Sequence, residues 1–133
     1  MISKMSEKFI TEIITPEKTI LKIETSEVII PSYEGEMGIL KNHSPIITFL
    51  RPGFLTVKNN ENRIFFIEEG TVEFINNHLL ILTTKVIDVA ELKDTTIHKS
   101  IESAEEQLKK DEISDKEKYL LFYKIDSLKS LKK

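Results

Sequence analysis

Short apolar runs separated by turn residues fill the first 85 positions of the chain. Many residues in these runs are β-branched, and proline, glycine or asparagine stands between most of them, as is typical of strands joined by tight turns. The runs cover residues 9–14, 19–23, 28–31, 46–50, 54–57, 64–67, 71–75 and 79–84. Their regular spacing predicts an antiparallel β-sandwich of about ten strands over residues 6–86. Between the third and fourth runs, Gly35 and Gly38 predict a loop.

The hydrophobic period changes after residue 85. All four glycines and all four prolines lie before that point. The apolar positions then recur every three or four residues, which places them on one stripe of a helix. They are Ile97, Ile101, Ala104 and Leu108. Asp94 is a candidate N-cap for this helix, and Asp88, with Glu91 three residues later, is an alternative start.

A second helix is predicted from Ser114 to about Leu131. Ser114 and Glu117 have the spacing of a capping box, in which each side chain binds the other residue's backbone N–H. The polar stretch 109–113 that separates the two helices is short, which favours an antiparallel helical hairpin. The predicted fold class is therefore α+β, with a β-sandwich domain over residues 1–86 and a helical domain over residues 87–133.

The apolar residues of the second helix are not confined to one stripe. They are Tyr119, Leu120, Leu121, Phe122, Tyr123, Ile125, Leu128 and Leu131. A helix with a single partner needs an apolar stripe of roughly 100°, so this one is expected to contact the first helix and a further surface. That surface is either the sandwich or a partner chain, and both are compatible if the hairpin moves.

Charge and composition exclude several classes of protein. The 22 acidic and 19 basic side chains give a net charge of −3, which provides no general attraction to nucleic acid. The absence of cysteine excludes disulfide scaffolds and thiolate sites. No apolar run reaches the roughly 18–20 residues that span a bilayer, and the N-terminal residues lack the apolar core of a secretory signal. A soluble cytosolic protein without a nucleic-acid partner is expected.

The C-terminal helix is basic although the whole chain is acidic. From Ile113 onward there are six lysines against three acidic residues, a net charge of +3. Lysines near a helix C-terminus suit the helix dipole, and they would also suit an acidic partner.

No constellation of catalytic or metal-binding residues is present in the sequence. His43, His78 and His98 lack the spacing of a metal site, and the phosphate-binding and nucleophile-elbow motifs are missing. The acidic pairs Glu68-Glu69 and Glu105-Glu106 lie in a predicted turn and on a predicted exposed face. We therefore predict no catalytic residue, no cofactor and no metal.

Residues 31–53 contain the most specific pattern in the chain. The pattern consists of Pro31, Gly35, Gly38, Ile39, Leu40, His43, Pro45 and Pro52-Gly53. It closely resembles the epsilon subunit of bacterial F-type ATP synthases, which carries Pro-x-x-x-Gly-x-x-Gly-Ile-Leu-x-x-His-x-Pro, an apolar strand and Pro-Gly. Residues 9–16, 65–73 and 81–82 resemble further strands of that family, so the similarity covers essentially the whole chain.

The resemblance implies a non-catalytic rotor subunit that binds the gamma subunit and the membrane-embedded c-ring. It places a segment of the sandwich, together with a nearby histidine, against the polar loops of the c-ring. Those residues are Glu34, Gly35, Glu36, Met37, Gly38 and His43, with Glu36 as the first choice for a charged contact. The resemblance also implies a peripheral protein at the cytoplasmic face of the bacterial plasma membrane. It would contact the membrane only through the complex.

In the epsilon-subunit family that the sequence resembles, the helical hairpin is regulatory. Folded down it lies along the sandwich, and extended it enters the alpha/beta catalytic head and blocks rotation. The residues of the second helix expected to act there are Tyr119, Phe122, Tyr123, Lys124 and Lys129.

One motif of the family is missing. Some epsilon subunits bind ATP through Ile/Leu-Asp-x-x-Arg-Ala at the start of the first helix, aided by arginines in the second. Here Thr96 and Ile97 occupy the Arg and Ala positions, the alternative match over residues 87–92 also lacks arginine, and the second helix contains none. We predict that ATP does not bind in this mode. The alternative functions are a free-standing adaptor with a helical dimerisation tail and a nucleotide-binding regulator, which the missing arginines disfavour.

Overall fold

The computed structural model describes residues 7–131, so Met1–Ser6 and two of the C-terminal lysines, Lys132 and Lys133, lie outside it. Within these residues the chain forms ten strands, a short 3-10 helix at Val89–Glu91 and two α-helices. The strands are β1 (Phe9–Ile14), β2 (Thr19–Thr25), β3 (Glu27–Ser32), β4 (Gly35–Leu40), β5 (Ile46–Leu50), β6 (Gly53–Lys58), β7 (Asn62–Ile67), β8 (Gly70–Ile75), β9 (His78–Thr83) and β10 (Val86–Asp88). The helices are α1 (Asp94–Leu108) and α2 (Asp115–Leu131).

The strands follow the order β10-β7-β6-β3-β5-β8-β9-β1-β2, with β4 paired to β3. Neighbouring strands are antiparallel except β1 and β9, which run parallel from Ile10↔His78 to Ile14↔Leu82. The predicted fold class, a β-sandwich followed by a two-helix hairpin, is confirmed. The parallel pair joins two strands that are far apart in sequence, so no local pattern indicated it.

The predicted loop at Gly35 and Gly38 is wrong, because these residues belong to β4. The strand pairs antiparallel with β3 over its whole length, from Ser32↔Gly35 to Glu27↔Leu40. Its alternate residues point inward, and Ile39 is fully buried in the core. The two glycines obscured this period of two, because they occupy strand positions without contributing side chains.

The core of the sandwich is built from the inward-facing positions of nine of these strands. Its fully buried side chains include Ile13, Val28, Ile30, Ile39, Leu50, Leu55, Ile67, Leu79 and Ile81. Phe9 and Phe74 meet edge to face inside it, with ring centroids 5.5 Å apart. Each large side chain buried in this way contributes about 1.5–3 kcal/mol, so this core is the main stabilising element of the sandwich.

The structure confirms the predicted capping box of α2 but does not place Asp94 at the N-cap of α1. The N-cap of α1 is Lys93, which makes no side-chain capping bond, and Asp94 is the first helical residue. Asp88 instead caps the preceding 3-10 helix by accepting a hydrogen bond of 2.9 Å from the Ala90 N–H. The predicted capping box of α2 is present, because the Glu117 N–H donates to Ser114 Oγ and the Ser114 N–H donates to Glu117 Oε1.

The helical hairpin covers the outer face of β6 and β7. A second apolar cluster joins Phe66 of β7 to Ile97 and Ile101 of α1 and Leu128 of α2. The helix α2 therefore contacts both α1 and the sandwich, which accounts for many of its apolar residues, although Phe122 stays exposed. Among residues 7–131, no helix is long and apolar enough to cross a membrane.

Candidate partner-binding surfaces

The turn between β3 and β4 holds the first of the sequence-predicted contact residues. Ser32 Oγ donates a 2.6 Å hydrogen bond to the Gly35 carbonyl and accepts one of 3.3 Å from the Glu34 N–H. Gly35 has φ +118°, which side-chain-bearing residues rarely adopt. Glu34 and Glu36 are both exposed, so their carboxylates are available to a partner.

His43 follows the far end of β4. Its N–H donates to the Leu40 carbonyl at 3.0 Å, its Nδ1 lies 2.7 Å from the Ser44 carbonyl oxygen, and its ring meets Phe74 edge to face at 5.9 Å. Because Glu34 precedes the six-residue strand β4 and His43 follows it, roughly 20 Å of strand lies between them. The structure does not gather the sequence-predicted residues into one loop, and Glu36 lies on the strand between them.

A patch of apolar side chains is exposed on the outer face of the sheet. Its members are Ile47 (73% exposed) and Phe49 (62%) on β5, Ile75 (48%) on β8 and Leu82 (44%) on β9. These three strands are neighbours, and Thr71 stands opposite both Phe49 and Leu82 in the two registers. We call these four residues the outer apolar face. The sequence contained a signal for it, because Ile47 and Phe49 on one side of the strand are apolar, as are Ile46 and Leu50 on the other.

An open groove borders the outer apolar face. It has a volume of about 620 Å³, and its lining includes Ile14, Pro16, Phe49 and Leu82, with Lys116 of α2 at its margin. Glu12 pairs with His78 nearby, with Oε1 and Nε2 2.7 Å apart. The surface combines an apolar floor with a polar margin, which is the composition of many protein–protein interfaces.

The five residues of α2 that are predicted to be regulatory lie in three environments: against the sandwich, against α1 and in solvent. Tyr119 and Tyr123 pack on the sandwich around Arg51, and Lys124 Nζ lies 2.9 Å from the Glu68 carboxylate. Lys129 pairs with Glu105 of α1 at 3.4 Å. Phe122 remains 58% exposed.

Tyr33 lies where the sandwich meets α2. Its ring contacts those of Tyr119 and Phe49, at 5.3 Å and 6.5 Å between centroids. Desolvation raises the pKa of its phenol above the ordinary value of 10.0, and the charge of Glu69 adds to the shift. The phenol is therefore neutral at physiological pH.

Within the part of the chain that the structure describes, no group of three or more histidine and carboxylate side chains is arranged to hold a metal ion.

Residues 8–89 match the family model described as the β-sandwich domain of the delta/epsilon chain of ATP synthase. The chain belongs to the ATP synthase delta/epsilon family. The resemblance found in the sequence is thereby confirmed, and members of this family are subunits of ATP synthase, which agrees with the predicted non-catalytic role.

Relatives of the ATP synthase delta/epsilon family align with almost the full chain. The ATP synthase epsilon chain of Pelagibacter ubique is 44% identical over 96% of this chain and 99% of its own length. The ATP synthase epsilon chain of Parvibaculum lavamentivorans is 30% identical over 96% of this chain and 98% of its own length. The helical hairpin is therefore included in the similarity.

Two solved structures share the fold of this family member. One is a chain of the Euglena gracilis mitochondrial ATP synthase, in a structure of OSCP, F1 and the c-ring, with a TM-score of 0.78, 20% identity, and coverage of 92% of this chain and 80% of that one. The other belongs to the central stalk and c-ring of the Tetrahymena thermophila mitochondrial ATP synthase, with a TM-score of 0.68, 17% identity, and coverage of 93% and 96%.

Proposed function

We propose that this chain is the epsilon subunit of a bacterial F-type ATP synthase, a component of the central stalk that couples ion-driven rotation of the c-ring to ATP synthesis through gamma. The full-length similarity to the epsilon chain of Pelagibacter ubique is the observation that carries this proposal. The subunit binds peripherally at the cytoplasmic face of the bacterial plasma membrane, and it contacts the membrane only through the complex.

The outer apolar face is the surface that we assign to gamma. Ile47 and Phe49 are large, exposed apolar side chains on β5, and Ile75 lies on the neighbouring strand β8. Exposed apolar patches on soluble proteins mark interaction sites, and a rotor subunit needs a contact that persists through each rotation. A surface of this composition favours a stable protein partner over a transient one.

Glu36 is the residue that we propose first for the contact with the c-ring. The other proposed contact residues are Gly35, Met37 and Gly38 on the same strand, and Glu34 and His43 beyond its two ends. Glu36 is exposed on β4, and among the described residues this strand pairs only with β3. An exposed ion pair contributes about 0–1 kcal/mol. Glu36 therefore orients the subunit on a basic loop more than it adds affinity.

The helical hairpin is proposed as the regulatory domain, residues 87–133, and the sandwich, residues 1–86, as the coupling domain. In the structure α2 lies against the sandwich through Tyr119, Tyr123 and Lys124. Extension toward the alpha/beta catalytic head would free these residues, together with the exposed Phe122 and Lys129, for contacts that inhibit ATP hydrolysis. The absent arginines described above argue against ATP as the signal.

Deletion of residues 94–133 in the assembled enzyme tests the regulatory part of the proposal. ATP hydrolysis is expected to rise, because the inhibitory segment is removed, while the sandwich still binds gamma. Unchanged hydrolysis by a fully assembled enzyme would contradict inhibition by the hairpin. Absence of the full-length chain from the purified ATP synthase would instead favour the adaptor function.

A further inference from the structure

Arg51 of the sandwich contacts two residues of α2, Tyr119 and Tyr123, and also the backbone carbonyl of Tyr33 within the sandwich. Its Nη1 donates hydrogen bonds to the Tyr119 hydroxyl at 3.1 Å and to the Tyr33 carbonyl at 3.4 Å. Its guanidinium carbon lies 3.9 Å from the centre of the Tyr123 ring. The Tyr119 hydroxyl also donates to the Tyr33 carbonyl, at 3.2 Å. We call Tyr33, Arg51, Tyr119 and Tyr123 the Arg51 cluster.

The backbone around Arg51 is held rigidly. The Arg51 N–H donates to the Pro31 carbonyl at 3.0 Å, and the following residues, Pro52 and Gly53, are buried. A Cβ at Gly53 would lie only 2.8 Å from Pro31 Cβ, so this segment is in tight contact with β3. A planar guanidinium on such a support can bind a carbonyl, a hydroxyl and a ring at fixed positions, which the single ammonium of lysine cannot reproduce.

The two halves of α2 are attached by different interactions. The buried residues of this helix, Ile125 and Leu128, both belong to its C-terminal half, where Leu128 joins the cluster around Phe66. From Asp115 to Lys124 no residue is fully buried. The N-terminal half contacts the sandwich through the Arg51 cluster and through the partly exposed ion pair between Lys124 and Glu68.

We propose that Arg51 is the positioning residue that holds the N-terminal half of α2, residues 115–124, on the sandwich, and that this half separates as a unit when the Arg51 contacts break. Segments with few buried apolar contacts open at the lowest free energy. An isolated helical segment of this length is marginally stable in water, so a separated half exchanges its amide hydrogens more readily. The inference concerns the chain by itself and stands independently of the proposed function.

Amide hydrogen exchange of the full chain tests the proposal through the Arg51→Lys variant. Residues 118–124 are expected to lose about five- to tenfold in protection, while residues 53–83 keep theirs. Tyr123→Leu, which keeps an apolar side chain without the aromatic ring, should give a loss in the same residues. The matched control is Arg63→Lys, because Arg63 pairs with Asp88 and lies over Phe65, away from α2.

Three results would overturn the proposal. One is unchanged protection of residues 118–124 in Arg51→Lys. Another is an equal loss in Arg63→Lys, which would indicate a general effect of removing a guanidinium. The third is a loss that extends equally through the strands, which would indicate destabilisation of the whole sandwich.

Discussion

Asn42 and Asn77 form two hydrogen bonds with each other, one from a backbone N–H and one between side chains, across two turns that are far apart in the sequence. The Asn42 N–H donates to Asn77 Oδ1 at 2.6 Å, and Asn77 Nδ2 donates to Asn42 Oδ1 at 3.1 Å. Both residues have positive φ, 68° and 58°. This pair fixes the segment that carries His43 to the turn between β8 and β9.

The Asn77→Gly variant removes this pair while keeping a residue suited to positive φ. We expect a loss of about 0.5–1.5 kcal/mol in the free energy of unfolding, because a hydrogen-bonded partner is removed. Urea denaturation measures it. Asn76→Gly is the control, since Asn76 has φ 50° in the same turn, and an equal loss in both variants would contradict a specific role for the Asn42–Asn77 pair.

Gly70 and Gly35 are required for different physical reasons. A Cβ on Gly70 would lie 2.4 Å from the Leu82 carbonyl oxygen, whereas a Cβ on Gly35 meets no atom within 4 Å but would stand at φ +118°. We expect Gly70→Ala to lower the free energy of unfolding by about 3 kcal/mol and Gly35→Ala by about 1 kcal/mol. Denaturation curves that rank the two variants in the opposite order would contradict the register of β8 and β9.

Leu128 tests the division into two domains. It is buried between the helices and Phe66, and Leu128→Ala should cost the hairpin about 2–4 kcal/mol. If the sandwich is stable by itself, amide protection falls in α1 and α2 while the strands remain protected. The comparison variant Leu55→Ala, in the main core, should lower protection throughout the chain. A uniform loss in Leu128→Ala would show that the two parts unfold together.

Much of the fold followed from local patterns in the sequence. Eight of the ten strands in the described residues were predicted from alternating or β-branched runs, and α2 from the reciprocal spacing of Ser114 and Glu117, whereas no run predicted the short strand β10. The strand β4 was missed because Gly35 and Gly38 contribute no side chains to its alternation. The Arg51 cluster was not predictable, because Arg51 and Tyr119 are 68 positions apart and only the packing of α2 on the sandwich brings them together.

The outer apolar face is expected to contribute to assembly and little to folding. Ile47 is 73% exposed, so Ile47→Asp should change the free energy of unfolding of the isolated chain by about 0.5 kcal/mol or less. The affinity of the Ile47→Asp variant for purified gamma should fall about 30-fold or more, as expected for a residue at the centre of an interface. Calorimetric titration measures the affinity. Ile64→Asp is the control, because Ile64 is also exposed but lies on β7, and equal affinities of the two variants would argue against the outer apolar face.

The contact between the outer apolar face and gamma can be tested directly, because the sequence contains no cysteine. A single cysteine at Ile47 or at Ile64, labelled with a photoreactive group, gives a cross-linking probe at one known position of the chain in ATP synthase purified from the membrane. We expect a cross-link to gamma from position 47 and none from position 64. Co-purification with no gamma cross-link from position 47, or absence of the chain from the enzyme, would contradict it.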